Sequence, residues 1–358
     1  MQPDPKTMSP HFLLRSFQPA DLPHLVEFWN REFVGRRNFR PIVDLEFRRR
    51  VLISPAFDPA GLILAWRTEL SAPAVDKRSR LAPNADQTAT LVGLAHAFKP
   101  PPQVGFYRKW ESHHHLALLY VSPQHRRQGV GSRLLQAAEN WLTYCPVYVA
   151  DQSTPCYGAV EGAWAPFFGS SERMGISARE SGVINFLRRH GYRAVAPGDV
   201  SMVRSLQPDQ LHLPEEPATL AASRLSLQTI SEHAPFSGVE QDDRQHYTVL
   251  GQNDGRPYAG LVLVDEHKLL RGHISWHPLT GETGVLSNFW VAPDLRRMGL
   301  GSYLLDRTLF EMAHRSPPHG GFRRVELHTH VTNFAAALRL YEQRGFTVED
   351  AWVTLVKT

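Results

Sequence analysis

Cysteine is scarce. The chain has two, Cys145 and Cys156, too few for a disulfide framework or a Cys-x-x-Cys metal site. Long apolar runs are missing too. None approaches the roughly 20 residues that span a bilayer. The opening MQPDPKTMSPHF carries no apolar signal core, so the expectation is a soluble, cytoplasmic protein with no membrane partner. Lysine is the third scarcity, with 6 Lys against 33 Arg. The densest basic run, Arg48-Arg49-Arg50, has no interleaved aromatics and reads as a solvated helix face. No nucleic-acid partner is expected.

What is present is ordinary globular material. Of 358 residues, 42% are hydrophobic and 21% charged, enough to bury a sizeable core. The length exceeds one usual domain of about 100–200 residues, so two are expected. Charge is unevenly spread: residues 1–206 carry a net +8, residues 207–223 a net −3, and residues 224–358 a net −1. That excess suits an anionic ligand without identifying one.

The chain contains an internal repeat. LALLYVSPQHRRQGVGSRLL at 116–135 matches LSNFWVAPDLRRMGLGSYLL at 286–305, an offset of 170 residues. RRHGYRAV at 188–195 then matches EQRGFTVE at 342–349, offset by 154. The spacing is too long for a solenoid unit and means two copies of one domain with different insertions. Leu116–Val121 and Val285–Val291 are short apolar runs bounded by Pro, as buried strands require. Leu134, Leu135, Ala138 and Leu142, and Leu304, Leu305, Leu309 and Met312, recur at helical spacing. Further strands are expected at Val147–Ala150 and Val325–Thr329, and helix ends before Gly191 and Gly345. Terminal strands near 200–206 and 351–357 should close each copy. The domains are then 1–206 and 224–358, joined by the Pro- and acid-rich linker 207–223.

The turn between strand and helix carries the chemical signal. Gly at alternate positions leaves successive backbone N–H groups open to an approaching ligand. The helix behind adds its orphan donors and the positive end of its dipole. Gly129, Val130, Gly131 and Ser132 in one copy, and Gly299, Leu300, Gly301 and Ser302 in the other, should therefore cradle a pyrophosphate. Arg126, Arg127 and Gln128, or Arg296, Arg297 and Met298, line the rim. Neither copy has the Lys of a phosphate-binding Walker loop, and neither reads GxGxxG.

With these two turns, the chain resembles the GNAT N-acetyltransferase superfamily, whose CoA-binding motif is Arg/Gln-x-x-Gly-x-Gly/Ala after a central strand. The tandem arrangement resembles that of mycothiol synthase. The resemblance is strongest across 284–349, good across 116–143, and rests on element order before residue 100. It implies an α/β chain of two GNAT-like domains, each a mixed, mainly antiparallel sheet with splayed central strands flanked by helices. It implies acetyl-CoA as co-substrate, no metal, and an amine acceptor, either a small molecule or a peptide. Val121 and the Trp290–Val291 edge would align the CoA arm. Asn333 would contact the pantetheine, and Tyr341, eight residues on, would protonate the leaving thiolate.

The copies differ at these places. Counting back from Gly191 as from Gly345 puts Leu187 at the Tyr341 position and Arg179 at that of Asn333. A family base on the central strand would fall on His115 or Val285. Glu282 is the preferred substitute in the second copy, with His328, His330 or a water chain as alternatives; His328 and His330 share one strand face. His113-His114-His115 reads as a polar strand end rather than a metal site, and both cysteines as small buried residues. The long loop 151–175 could line a substrate pocket, pack on the partner domain or cap the first site, the domain interface being preferred. The expectation is an acyl-CoA-dependent N-acyltransferase with Tyr341 and Glu282 catalytic in the second domain. A first site using His115 and water is a competing enzymatic reading, and a CoA-sensing or scaffolding protein is the non-enzymatic one.

Overall fold

The computed structural model describes residues 11–34, 41–68, 89–99, 114–143, 146–149, 156, 175–195, 198–234, 236, 257–331 and 335–358. The chain divides into two compact units, each built on one sheet. The first sheet has seven strands. Its antiparallel run comprises β1 (His11–Ser16), β2 (Leu62–Thr68), β3 (Ala89–Phe98) and β4 (His114–Val121). β5 (Val147–Val149) then pairs parallel to β4. Helices α1 (Leu22–Glu32) and α3 (Val130–Leu142) pack on β3, with the short α2 (Asp44–Phe47) beside α1. Val130, Leu134, Leu135, Ala138 and Leu142 of α3 are buried, the stripe expected of a helix lying on a sheet.

The second sheet has eight strands. β9 (Ser226–Ser231), β10 (Ala259–Val264), β11 (Leu270–Pro278) and β12 (Thr283–Val291) form its antiparallel run, and β13 (Arg324–His330) pairs parallel to β12. α6 (Leu300–His314) and α7 (Ala335–Glu342) flank it. Val325 and Leu327 of β13 join Leu286, Ile274 and the inward face of α6 in one core. Gly191 and Gly345 lie in the left-handed region, at φ 90° and 77°, as the expected helix-ending positions require.

The terminal strands depart from expectation. β8 (Asp199–Ser205), which ends the first repeat in sequence, lies in the second sheet between β13 and β14 (Thr347–Val353). β15 (Leu355–Lys357), which ends the second, lies in the first sheet between β5 and β7 (Arg193–Ala194). The small β6 (Ile176–Ser177) also pairs with β14, shortly before α4 (Ser181–Arg189). Each repeat has given its last strand to the other sheet. A cut at residue 206 would therefore leave β8 on the wrong fragment. The segment 207–223 is more than a tether, since its α5 (Ala218–Ala222) buries Leu220 in the second core.

What positions the site is a fork in the second sheet. β4 and β5 pair through three rungs, ending at Leu116↔Val149. β12 and β13 pair through three, ending at Val285↔Glu326. Beyond its last rung β13 leaves β12, which continues beside β11 to Val291. In the first sheet β5 is described as far as Val149, and β4 continues beside β3 to Val121. Among the described residues the second repeat thus shows no ladder on the β13 side of β12 from Phe289 to its glycine turn. Among the described residues no helix is long and apolar enough to cross a membrane.

Removal of Leu355–Thr358 tests the exchanged strand. It deletes buried Leu355 and Val356, together worth about 3–6 kcal/mol, and the Lys357–Glu139 ion pair at 2.9 Å. Hydrogen exchange should accelerate at Val147–Val149 and leave Leu261–Leu263 unchanged. A second test uses three buried imidazoles. Burial pushes His96 and His273 down to about 3 and His277 to about 4. The unfolded chain binds these protons below about pH 6.5 and the folded chain does not. Stability is therefore lost as pH falls, by about 2 kcal/mol per histidine at pH 5. Urea melts at pH 7 and pH 5 should show the loss, and His273→Phe should recover one histidine's share.

Candidate functional site

The two glycine turns are built alike. After Val121, a 3-10 turn at Pro123–His125 leads through Arg126 to α3; after Val291, Pro293–Leu295 leads to α6. Arg127 and Gly129 sit at φ 61° and 80°, Arg297 and Gly299 at 64° and 82°. Two left-handed residues one apart fold the backbone back so that the next amides converge. Buried Val130 and Leu300 anchor the helices beneath. Arg126 and Arg296 each clip their turn to the strand, donating from Nε to the carbonyls of Val121 and Val291 at 2.9 and 3.0 Å. Arg127, Gln128, Arg297 and Met298 are exposed on the rim, as is Ser132; Ser302 is half-buried.

These turns suit an anion. Neither helix has a side-chain N-cap, so its first N–H donors are left for a ligand. The helical ladders begin only with Arg133 to Gly129 at 3.1 Å and Tyr303 to Gly299 at 3.0 Å. The first glycine of each pair is required by its φ. The second is not required by the protein's own packing: a Cβ at Gly131 or Gly301 would come no closer than 3.7 or 3.6 Å to a neighbour, ordinary contact. Its bareness is explained by an approaching partner.

In the second repeat Gly301, Phe289 and Tyr341 lie together. Phe289 of β12 is the side chain nearest the Cβ position of Gly301, and its ring lies 6.3 Å from that of Tyr341. Tyr341 is 5% exposed and also packs on Phe346 at 5.7 Å. Trp290 stacks on His273 at 5.8 Å, and Val291 is half-buried where the strand edge ends. In the first repeat, the Phe186 ring lies 3.7 Å from the Gly131 position. Leu187 is buried in the place corresponding to Tyr341, so no hydroxyl is offered there. Arg179, matched to Asn333 by counting, donates to the Glu349 carbonyl. Asn333, His113, Cys145 and most of 151–175 lie outside the described residues, whereas Cys156 is buried.

The base candidates separate. Glu282 is exposed and precedes β12, its carbonyl accepting from the amides of Arg323 and Arg324 at 2.8 and 3.1 Å. It lies nine residues before Val291, about 30 Å along an extended strand, and outside the fork. His115 is buried one rung before the last described between β4 and β5, opposite Tyr148. His328 is buried with its Nε2 3.5 Å from Glu326 Oε1. His330 ends β13 with its ring packed onto Gly198.

Sequence reasoning passed over Asn288. The β11–β12 register shifts between His273 and Ser275, opposing two β12 residues, Asn288 and Phe289, to Ile274. Asn288 is left-handed at φ 47°, a bulge that re-aims the strand beside the fork. The signal was a lone Asn, tolerant of that conformation, in an apolar strand. The first repeat bends at the matching stretch, between the partners of His96 and Ala97.

Comparison with known proteins agrees with this geometry. The Acetyltransferase (GNAT) family matches residues 22–145 and 224–346, and a second Acetyltransferase (GNAT) domain description matches 101–194. No curated protein matches the sequence. Among solved structures, the fold is similar to a tandem GNAT protein from the clavulanic acid biosynthesis pathway. That likeness has a TM-score of 0.60 at 15% identity, covering 97% of this chain and 98% of that one. A GCN5-related N-acetyltransferase from Sphaerobacter thermophilus gives 0.54 at 17%, covering 97% and 95%. The glucosamine N-acetyltransferase region of a fungal multi-domain GH3 β-N-acetylglucosaminidase gives 0.59 at 14%; 99% of this chain is covered but it spans only 39% of that one. With the family matched across both halves, and a glycine turn between strand and helix in each, the chain belongs to the GNAT acetyltransferase family as a tandem, two-domain member.

Proposed function

We propose that the second repeat transfers an acetyl group from acetyl-CoA to a primary amine, and that the first holds CoA without performing chemistry. The observation that carries this reading is the cluster of Gly301, Phe289 and Tyr341, whose counterpart at Gly131 has Phe186 and buried Leu187 but no acid. The family uses acetyl-CoA as co-substrate. Backbone N–H groups from Gly299 to Ser302 would hold the pyrophosphate, with Arg297 at the rim. The β12 edge from Phe289 to Val291 would receive the pantetheine arm, joined by Asn333.

The chain's residues then have separate tasks. The helix dipole and amides bind the phosphates and fix the register of the arm. The fork holds the thioester away from bulk water, where a positioned acid gains most. The Tyr341 hydroxyl supplies the proton taken by the departing thiolate. A base for the incoming ammonium completes the set.

Calorimetry with CoA tests the division. Wild type should bind two equivalents; Gly131→Glu and Gly301→Glu should each remove one, because each puts a carboxylate where the phosphates approach while leaving φ unstrained. Thiol release from acetyl-CoA with a primary-amine panel should survive the first change and be lost with the second. Tyr341→Phe should lower kcat by about 10²-fold with CoA affinity unchanged. Unaltered kcat would remove Tyr341 as the acid.

A further inference from the structure

One face of the second sheet is buried and polar. Successive residues of a strand alternate between faces. Leu286, Val325 and Leu327 face the α6 core, so Val285, Ser287, Glu326 and His328 face the other way. On that side the register aligns Ser275 with Ser287, His277 with Val285, and His328 with Ser201. Ser201, Ser275, His277, Ser287, Glu326 and His328 are all buried. A carboxylate and imidazoles on a buried sheet face are costly to maintain, and a hydrophobic pattern would serve the fold alone equally well.

Their place relative to the fork gives them a use. Val285↔Glu326 is the last rung joining β12 to β13. Glu326 therefore stands at the apex of the gap, and His328 two residues on, where β13 has left β12. The two side chains are 1% and 0% exposed. Glu326 Oε1 lies 3.5 Å from His328 Nε2, and the imidazole stacks on Trp352 of β14 at 5.6 Å and 25°. The ring is held flat by an aromatic and addressed from one side by a carboxylate, leaving Nδ1 as the nitrogen turned from Glu326. A carboxylate that orients an imidazole and stabilises its charged form is the arrangement of a histidine general base.

We infer that His328 is the general base of the second repeat, positioned by Glu326, and that the acceptor enters the fork as an alkylammonium ion. This rests on the acyl-transfer reading above and assigns it the base that Glu282 does not provide. His328 takes one proton from the ammonium. The freed nitrogen lone pair forms a C–N bond to the thioester carbon, and the C–S bond breaks with its electron pair passing to the CoA sulfur. The second N–H proton leaves as the amide forms, and Tyr341 protonates the sulfur and is itself reprotonated by it through solvent. The products are an N-acetyl amine, CoA thiol and one proton released from His328. By register Glu326 and His330 on the same strand, His277 of β11, Asp199 of β8 and Asp350 of β14 share this face, with Arg179 4.0 Å from Asp350.

The test is a pH profile of kcat/KM on the full chain, with n-butylamine, glucosamine and spermidine as ammonium acceptors. Hydroxylamine serves as an acceptor that is neutral at pH 7. His328→Gln should lower the ammonium rates by about 10²-fold, lose the acidic limb of the profile, and keep CoA binding by calorimetry. The hydroxylamine rate should change by less than about 3-fold, since that nucleophile needs no prior deprotonation. Glu326→Gln should move the acidic limb to lower pH, because the imidazolium loses its stabilising carboxylate; a purely structural role would leave the limb in place. Wild-type rates and profile in a CoA-binding His328→Gln chain would overturn the assignment. Should that variant lose CoA binding, an unmoved limb in Glu326→Gln overturns it instead. Absence of thiol release from wild type with every acceptor would overturn the acyl-transfer reading itself, and the base with it.

Discussion

Three rungs of parallel pairing between β12 and β13 are the constraint on which the second half depends, and β4 and β5 pair through three among the described residues of the first. Parallel strands need a crossover, and here that crossover is the helix after the glycine turn. The pairing holds the starts of the two strands together, and beyond its early end β13 makes no ladder with the rest of β12 among the described residues. A longer ladder would pair the rest of β12 and close the gap. A shorter one would release the helix whose N-terminus must face the gap. The glycine turn, the β12 edge and Tyr341 on α7 are placed by how soon the strands stop pairing.

That constraint also explains the exchanged strands. β13, having left β12 on one side, is paired along its whole length on the other by β8. β5, much shorter, is paired by β15. Each parallel pair is thus braced on its outer side by a strand supplied from the other repeat. The two copies are therefore interdependent although their sequences have diverged. This bracing is not legible in the sequence. DVSMVRS and LVK carry an alternation that fits either sheet, and nothing local records which edge a strand will join. The turns were legible because their signal is local: left-handed glycine, arginine clip and helix start fall within a dozen residues.

The site falls between these cases. Gly301 and Tyr341 were readable from spacing within one repeat, and the structure joins them through Phe289. Glu282 was the nearest acid in sequence to the central strand, but proximity along a strand is distance in space, and the extended chain carries it away from the turn. The pairing of Glu326 with His328 was within reach of a period-two reading of VELHTH. What hid Glu326 was its setting between Val325 and Leu327, which face the core while it does not. Asn288 was hidden because a bulge is a property of two strands in register, visible only once β11 is laid beside β12.

The divergence of the repeats can now be stated at single positions. At the last rungs, the first repeat has His115 and Leu116 facing Tyr148 and Val149, and the second has Val285 facing Glu326. On the flanking helix, Leu187 stands against Tyr341. The turn itself has changed little: the same left-handed pair, the same arginine clip and the same open glycine occur in both. Binding a pyrophosphate would use backbone groups, which side-chain drift does not remove, whereas the proposed proton transfer needs one carboxylate, one imidazole and one phenol, each lost by a single substitution. Two copies freed from performing the same task would therefore retain the cradle longer than the chemistry. The net +8 of residues 1–206 is in keeping with the proposal that the first repeat holds an anion, and the near-neutral second repeat with the proposal that it also admits a cation.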